Sequence, residues 1–410
     1  MSIPTPATRV AAAPQGSAAE VFTAFLKLGL TSFGGPAAHI GYFRTEFVER
    51  RRWLADADYA DLVALSQFLP GPASSQVGMA LGLQRAGWWG LLAAFLGFTL
   101  PSALALIAFA YGVLHWPGLA GSGAVHGLKV VAVAVVAQAV WGMARTLCPD
   151  RARAGIAFAA ALGVLALPGG ASQVGAIVAG ALLGRWCLDL PALPPRTHVA
   201  LCVSRRTGAT LLALCAALLV VLPLAAAAWP ARGLQAVSVF YQAGSLVFGG
   251  GHVVLPMLQA GLVPPGWVDA PGFLAGYGAA QAVPGPLFTF AAYLGAVMPS
   301  PWGDGPGGWS GGLLMLGAIF LPAFLLLAGA LPFWEAMRQR PGMQRAMAGI
   351  NAAVVGVLGA ALYDPVWTSA IGSPTDFALA LAAFGLLVVG RVSPLWVVAG
   401  AALAGAMLGP

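Results

Sequence analysis

Two kinds of glycine–proline interruption carry most of the chemistry this sequence offers. The first is Ser32-Phe33-Gly34-Gly35-Pro36 and the second is Pro70-Gly71-Pro72, each near the middle of an apolar run. Gly and Pro end a helix and restart it. A restarted helix presents free N–H groups and the positive end of its dipole, which together favour an anion. Polar side chains sit beside these breaks: Gln67 precedes Pro70, and Ser74 and Ser75 follow Pro72. Both breaks occur again, as Phe248-Gly249-Gly250 and Pro284-Gly285-Pro286, with Gln281 before the latter and Thr289 behind it. A lone Gly-Gly in a membrane helix serves close packing more often than binding. Two different breaks, each present twice, argue for a substrate site.

Ionisable residues sharpen the expectation. The chain has only two lysines, Lys27 and Lys129, and both lie within apolar segments, whereas the arginines gather in the gaps. Charges inside a membrane are costly and are functional candidates by default; snorkelling is the competing explanation for Lys129, which lies near a segment start. The second copy carries Gln242 and Asn351 at these positions, so the charge is one-sided. Acidic residues fall at or near segment ends, where cation pumps and proton relays would keep them mid-span. A cavity with Lys27, helix N-termini, Ser32 and other hydroxyls, and no carboxylate suits a small oxyanion. His39 and His252, just past the Phe-Gly-Gly breaks, join Lys129 as candidates for a proton or substrate relay. No GxxxxGK[ST] or HExxH motif occurs, so the expectation is a transporter rather than an enzyme, with no cofactor and no metal.

The elements that must hold these residues are membrane segments. Of the 410 residues 59% are hydrophobic and 8% charged, far too few charges for a soluble surface, where about a quarter is usual. The net charge of +7 is no nucleic-acid footprint, because the arginines are scattered between apolar runs. The four cysteines show no metal-binding spacing and read as free thiols. Apolar stretches fall near 20–43, 58–84, 88–115, 124–146, 152–168, 171–188, 207–229, 236–262, 270–298, 309–334, 345–363, 375–390 and 393–409. The expected fold is all-α and polytopic, with the lipid bilayer as its partner and the oligomeric state left open.

An internal repeat organises these segments. Phe25, Gly29, Phe33, Gly34 and Gly35 return as Phe240, Gly244, Phe248, Gly249 and Gly250; Trp53, Gln67, Pro70, Gly71 and Pro72 return as Trp267, Gln281, Pro284, Gly285 and Pro286. Leu100-Pro101 matches Leu321-Pro322, and Gly127, Val133, Val135 and Ala139 match Gly349, Val355, Val357 and Ala361. The expected organisation is a tail (1–19), a first repeat domain (20–188), a linker with one transmembrane helix (189–235) and a second repeat domain (236–410). Because the single linker helix crosses the membrane between them, the repeats are inverted, as in many secondary transporters. Basic gaps, including the one with Arg391, then lie inside and basic-free gaps outside. The cluster Arg44, Arg50, Arg51, Arg52 and Arg85 stays inside only if the broken segments enter and return as hairpins, which is the topology expected in both halves.

The motifs Phe25-Leu-Lys-Leu-Gly-Leu-Thr-Ser-Phe-Gly-Gly-Pro36, Gln67-Phe-Leu-Pro-Gly-Pro72, Phe248-Gly-Gly-Gly-His-Val-Val-Leu-Pro256 and Gln281-Ala-Val-Pro-Gly-Pro286 occur in this order. In this the chain resembles the chromate ion transporter (CHR) family in its long, two-domain form, over nearly its whole length. The resemblance implies export of chromate through a bacterial inner membrane, driven by the proton motive force, with sulfate as a competitor or alternative substrate. Chromate itself is not legible in the residues, since helix ends and lysines do not distinguish one tetrahedral dianion from another. A passive anion channel, or a transporter of sulfate or another small oxyanion, is the alternative.

Overall fold

Small polar caps start the helices that the apolar runs then continue. In the computed structural model, which describes residues 16–33, 35–115, 123–167, 170–189, 203–229, 231–248, 253–303, 305–338 and 340–408, helix α1 (Ala18–Thr31) begins at Ser17, whose hydroxyl accepts the Glu20 N–H at 3.1 Å. It stops at Ser32, and α2 (Gly35–Phe43) restarts the chain from Gly35 at φ +77°. A wider π-helical stretch, Arg44–Arg50, extends α2. Helix α3 (Asp56–Phe68) ends before the second break, where Gly71 has φ +115°, and α4 (Ala73–His115) follows. Both glycines occupy the left-handed region where a Cβ is strained.

Helix α4 is not one straight rod. It doubles back at Ala86 and Gly87, so that a Cβ at Gly82 would collide with the Gly90 carbonyl. Its arm 88–115 then runs beside α1, where Gly29 and Gly97 let the backbones touch. Arg85, at the turn, gathers the start of α1 and the return of α2 to one level. It pairs with Glu20 at 3.2 Å, its carbonyl accepts the Gly16 N–H at 3.1 Å, and its guanidinium lies 5.2 Å from the Trp53 ring centre. Both broken segments therefore leave from and return to the same end of the molecule, as the arginine cluster required.

The second half repeats this arrangement. Helix α8 (Arg205–Ala228) precedes it, largely unburied and apolar. Then come α9 (Arg232–Leu246), α10 (Val254–Leu262), α11 (Ala270–Ala282), α12 (Phe290–Val297) and α13 (Gly308–Ala330). Arg232, Trp267, Met298 and Pro301 line one pocket of about 270 Å³, so these hairpins too begin and end at a common level.

The remaining helices exchange partners between the repeats. They are α5 (Gly123–Leu147), α6 (Arg151–Ala166) and α7 (Gly170–Cys187) in the first half, and α14 (Pro341–Ala361), α15 (Pro374–Val388) and α16 (Pro394–Leu408) in the second. The α6–α7 hairpin packs on α14, through Gly180 and Gly184 against Gly349 and through Ala157 against Gly356. The α15–α16 hairpin packs on α5, through Gly405 against Gly123 and Ala401 against Gly127. His126 of α5 meets Asp376 of α15 at 2.6 Å. Lipid gives no hydrophobic drive to helix pairing, so small residues that allow close backbone contact supply it. Adding one methyl to Gly349 would bring a Cβ within 2.6 Å of the Gly184 Cα, whereas Gly142 has nothing within 4 Å. Gly349→Ala is therefore expected to cost about 1–3 kcal/mol by overpacking, and Gly142→Ala to be neutral or stabilising. Thermal unfolding in detergent, followed by the loss of monodisperse protein, checks the contrast.

One expectation changes. Helices α15 and α16 have 15 residues each, about 22 Å, short of a hydrocarbon core of about 30 Å. The antiparallel register Gly123–Gly405 and Gly127–Ala401 sets their turn, with Arg391, level with the middle of α5 rather than its inner end. Two of the acidic residues at or near segment ends are nevertheless buried. Glu46 and Asp61 are 6% and 5% exposed. Burial is tolerated because Arg50 and Arg51 pair with Glu46 at 2.7 and 2.8 Å, and the Trp334 indole N–H donates to Asp61 at 3.2 Å.

Candidate functional site

The four breaks meet in two reciprocal backbone hydrogen bonds. The Gly71 N–H donates to the Val247 carbonyl at 2.6 Å, and the Gly285 N–H donates to the Ser32 carbonyl at 3.0 Å. Ser32 and Val247 are equivalent positions of the repeat, as are Gly71 and Gly285. Each first break is thus clamped to the second break of the other half. The Gly285 φ of +105° aims its N–H across the interface, a geometry that an L side chain resists.

Beside the Gly285–Ser32 clamp lies a cavity of about 60 Å³, lined by Ser32, Gly35, Pro36, Val135, Gln138, Ala280, Gln281, Val283, Gly285, Leu287 and Pro394. Val135 and Gln138 belong to the middle of α5, and Pro394 opens α16. Two repeats and one exchanged hairpin therefore build the wall. Ser32 is 1% exposed and among the described residues its Oγ has no hydrogen-bond partner; the Gln281 Nε2 is buried and also unpartnered among them. Unpaired buried donors are expensive, and here they surround a common space. The lining contains no ionisable residue.

A family model described as chromate transporter matches this chain twice, over residues 19–185 and 234–406. The chain belongs to the chromate transporter family. A chromate transport protein of Pseudomonas aeruginosa is 31% identical over 381 residues, covering 88% of this chain and 84% of the relative. One from Cupriavidus metallidurans is 26% identical over 99% of this chain and 97% of its own length. A probable chromate transport protein of Synechococcus elongatus is 27% identical over 82% of each. No solved structure matches the chain.

Within this chromate transporter fold the residues singled out by sequence fall into three groups. Ser32, Gly35, Gln281 and Gly285 line the cavity. Pro70, Gly71, Pro72, Ser74, Ser75 and Gln67 surround the first half's second break, where the His39 Nδ1 lies 3.3 Å from the Ser74 Oγ and the Gln76 amide donates to the Pro70 carbonyl at 2.8 Å. Pro284, Pro286 and Thr289 frame Gly285 from behind, the Thr289 hydroxyl donating to the Pro286 carbonyl at 2.8 Å. Gly34, Gly249, Gly250 and His252 lie outside the described residues.

The two lysines stand apart from the cavity wall. Lys27 is on the exposed face of α1 with Thr23 and Leu30, within electrostatic reach of Glu46. Lys129 is half-buried on α5 and makes no ion pair or hydrogen bond among the described residues. Two polar groups at this site escaped the sequence: Gln138 and Ser102. The Ser102 Oγ backs Gly285, only 2.9 Å from where a Cβ would stand. Neither motif nor spacing marks them. A polar residue at the position where the other repeat is apolar is the signal that could have found them.

Proposed function

We propose that this protein is a secondary active transporter that exports chromate across the bacterial inner membrane, using the proton motive force, and that the cavity at Gly285 holds the anion. The observation that carries this reading is a cavity beside the paired breaks, lined by Ser32 and Gln281, whose hydroxyl and amide are unpaired among the described residues, and by no carboxylate. Neutral donors in a water-poor site stabilise an oxyanion strongly, because each such hydrogen bond is charge-assisted. Sulfate, of the same shape and charge, is the expected competitor. The curated relatives named as chromate transport proteins support the substrate.

Alternating access between the inverted repeats would have the two halves rock against each other. Each repeat's terminal hairpin is packed on the other repeat, so that motion would carry the exchanged hairpins with it. The Gly71–Val247 and Gly285–Ser32 clamps are the contacts that a switch would exchange. His39, 1% exposed and touching Ser74, is the proposed proton-responsive group beside them. Lys27, five residues before Ser32, would draw the anion toward the site from about 7–8 Å along the helix.

Everted membrane vesicles test the reading. Chromate uptake should saturate, rise with an imposed proton gradient and fall with added sulfate. Uptake that only follows the chromate gradient would make the protein a passive anion channel. Lys27→Gln is expected to reduce uptake roughly tenfold, from Coulomb energies of about 2 kcal/mol per charge at such distances and a surface discount; full activity would remove Lys27 from the pathway.

A further inference from the structure

Inverted repeats raise the question of whether the pseudo-two-fold axis creates one anion site or two. We propose that only the position around Gly285 binds the anion, and that Gln138 is the residue that determines its selectivity. The proposal rests on the reading of this cavity as the oxyanion site, and it goes on to assign the number of sites and a determinant that no motif contains.

The polar residues at the Gly285 break can be compared with their repeat partners. Ser32 and Gln138 line the cavity and Ser102 backs Gly285. Their repeat partners are Val247, Ala323 and Ala360. All three partners are buried to 2% exposure or less. Among hydrogen-bonding side chains, only the glutamine before the break is common to both sides, Gln281 in one and Gln67 in the other. The register is secured by contact as well as by sequence: Gly285 meets Ser102 where Gly71 meets Ala323, and Gly29 meets Phe98 where Gly244 meets Ile319.

The Gly71 side is also filled by the protein itself. The Gln76 amide donates to the Pro70 carbonyl and sits 3.0 Å from where a Gly71 Cβ would be. The residue matching Gln76 in the second half is Phe290, fully buried in the core, which offers no amide to the Gly285 break. At the Gly71 break the Gln76 N–H₂ is spent on the Pro70 carbonyl, although its Oε1 and the Ser75 Oγ stay unpartnered among the described residues. At the Gly285 break the unpartnered Ser32 Oγ and Gln281 Nε2 belong to residues that line a cavity.

Gln138 stands out within that cavity. It comes from α5, the helix gripped by the exchanged α15–α16 hairpin, and among the described residues its amide has no hydrogen-bond partner. An amide offers both a donor and an acceptor. Its N–H₂ can bind any oxyanion, whereas its carbonyl rewards only one that carries a proton. Gln138 thereby separates anions by how readily they protonate, a property in which chromate and sulfate differ although their shapes match.

Calorimetric titration of the purified full-length protein with sodium chromate and, separately, sodium sulfate tests this. One chromate per chain is expected. Gln138→Met, of similar length and without a hydrogen-bonding amide, should weaken chromate binding roughly ten- to a hundred-fold and sulfate less, narrowing the ratio between them. Gln138→Asn should recover part of the preference, a result that a merely structural role would not give. In vesicles the same change should raise KM for chromate while leaving the maximal rate within about twofold. Two chromates per chain, or an unchanged chromate-to-sulfate ratio in Gln138→Met protein that remains monodisperse, would overturn the proposal. Absence of any chromate binding by the unmodified protein would overturn the cavity reading itself, a result separable from both.

Discussion

Gly285→Ala is expected to abolish chromate uptake into vesicles, while Gly266→Ala is expected to leave it intact. Both glycines have positive φ, +105° and +75°, so both substitutions carry backbone strain of about 1–2 kcal/mol. Their surroundings differ. Gly266 lies in the turn after α10 with nothing within 4 Å, but a Cβ at Gly285 would stand 2.9 Å from the Ser102 Oγ and 3.2 Å from the Phe98 carbonyl. Overpacking there adds about 1–3 kcal/mol, and relief requires moving the backbone that donates to Ser32. The summed cost of about 2–5 kcal/mol corresponds to a loss of thirtyfold or more in the population that keeps the clamp and cavity in place. The measurement pairs initial chromate uptake with the amount of folded protein in the same vesicles. Normal uptake by Gly285→Ala would mean that the cavity is not on the transport path. Equal loss in Gly266→Ala would reduce the effect to generic strain.

Gln281→Glu is expected to be the most damaging change that preserves shape. Glutamine and glutamate are nearly isosteric, so the wall at this point keeps its outline. A carboxylate about 4 Å from an anion costs about 4 kcal/mol per pair of unit charges at an effective dielectric near 20. That is roughly a thousandfold loss for a monoanion and more for a dianion. A carboxyl in a cavity without cations is driven toward its protonated form, so activity should return in part as the pH is lowered. Gln281→Met removes the donor without adding charge and should cost roughly tenfold. Chromate uptake across a pH series distinguishes these outcomes: equal activity for Gln281→Glu and Gln281→Met would place the anion elsewhere.

The sequence by itself determined the class, the repeat and the hairpins. A chain with 8% charged residues has no choice but a bilayer, and backbone hydrogen bonding inside a bilayer leaves only helices for these runs. Arg44, Arg51 and Arg85 then required the broken segments to return to one side, because guanidinium groups are held in the aqueous interface. These are local constraints, set by hydration energy residue by residue, and so they can be read in one dimension.

Tertiary structure alone decided which of the duplicated features matter. Motif symmetry made Gly71 and Gly285 equal, and packing separates them: Gln76 and Ala323 fill one side, while Ser102 and Gln138 border polar room on the other. The buried pairing of Glu46 with Arg50 and Arg51, and the exchange of hairpins between repeats, were equally invisible. Both arise from contacts between segments far apart in the chain, chosen by how closely glycine-lined backbones fit. An unpaired donor such as the Ser32 hydroxyl acquires meaning only when the surrounding helices withhold every other partner. That is a property of the packed molecule, and it turns a repeated glycine–proline break into one candidate site.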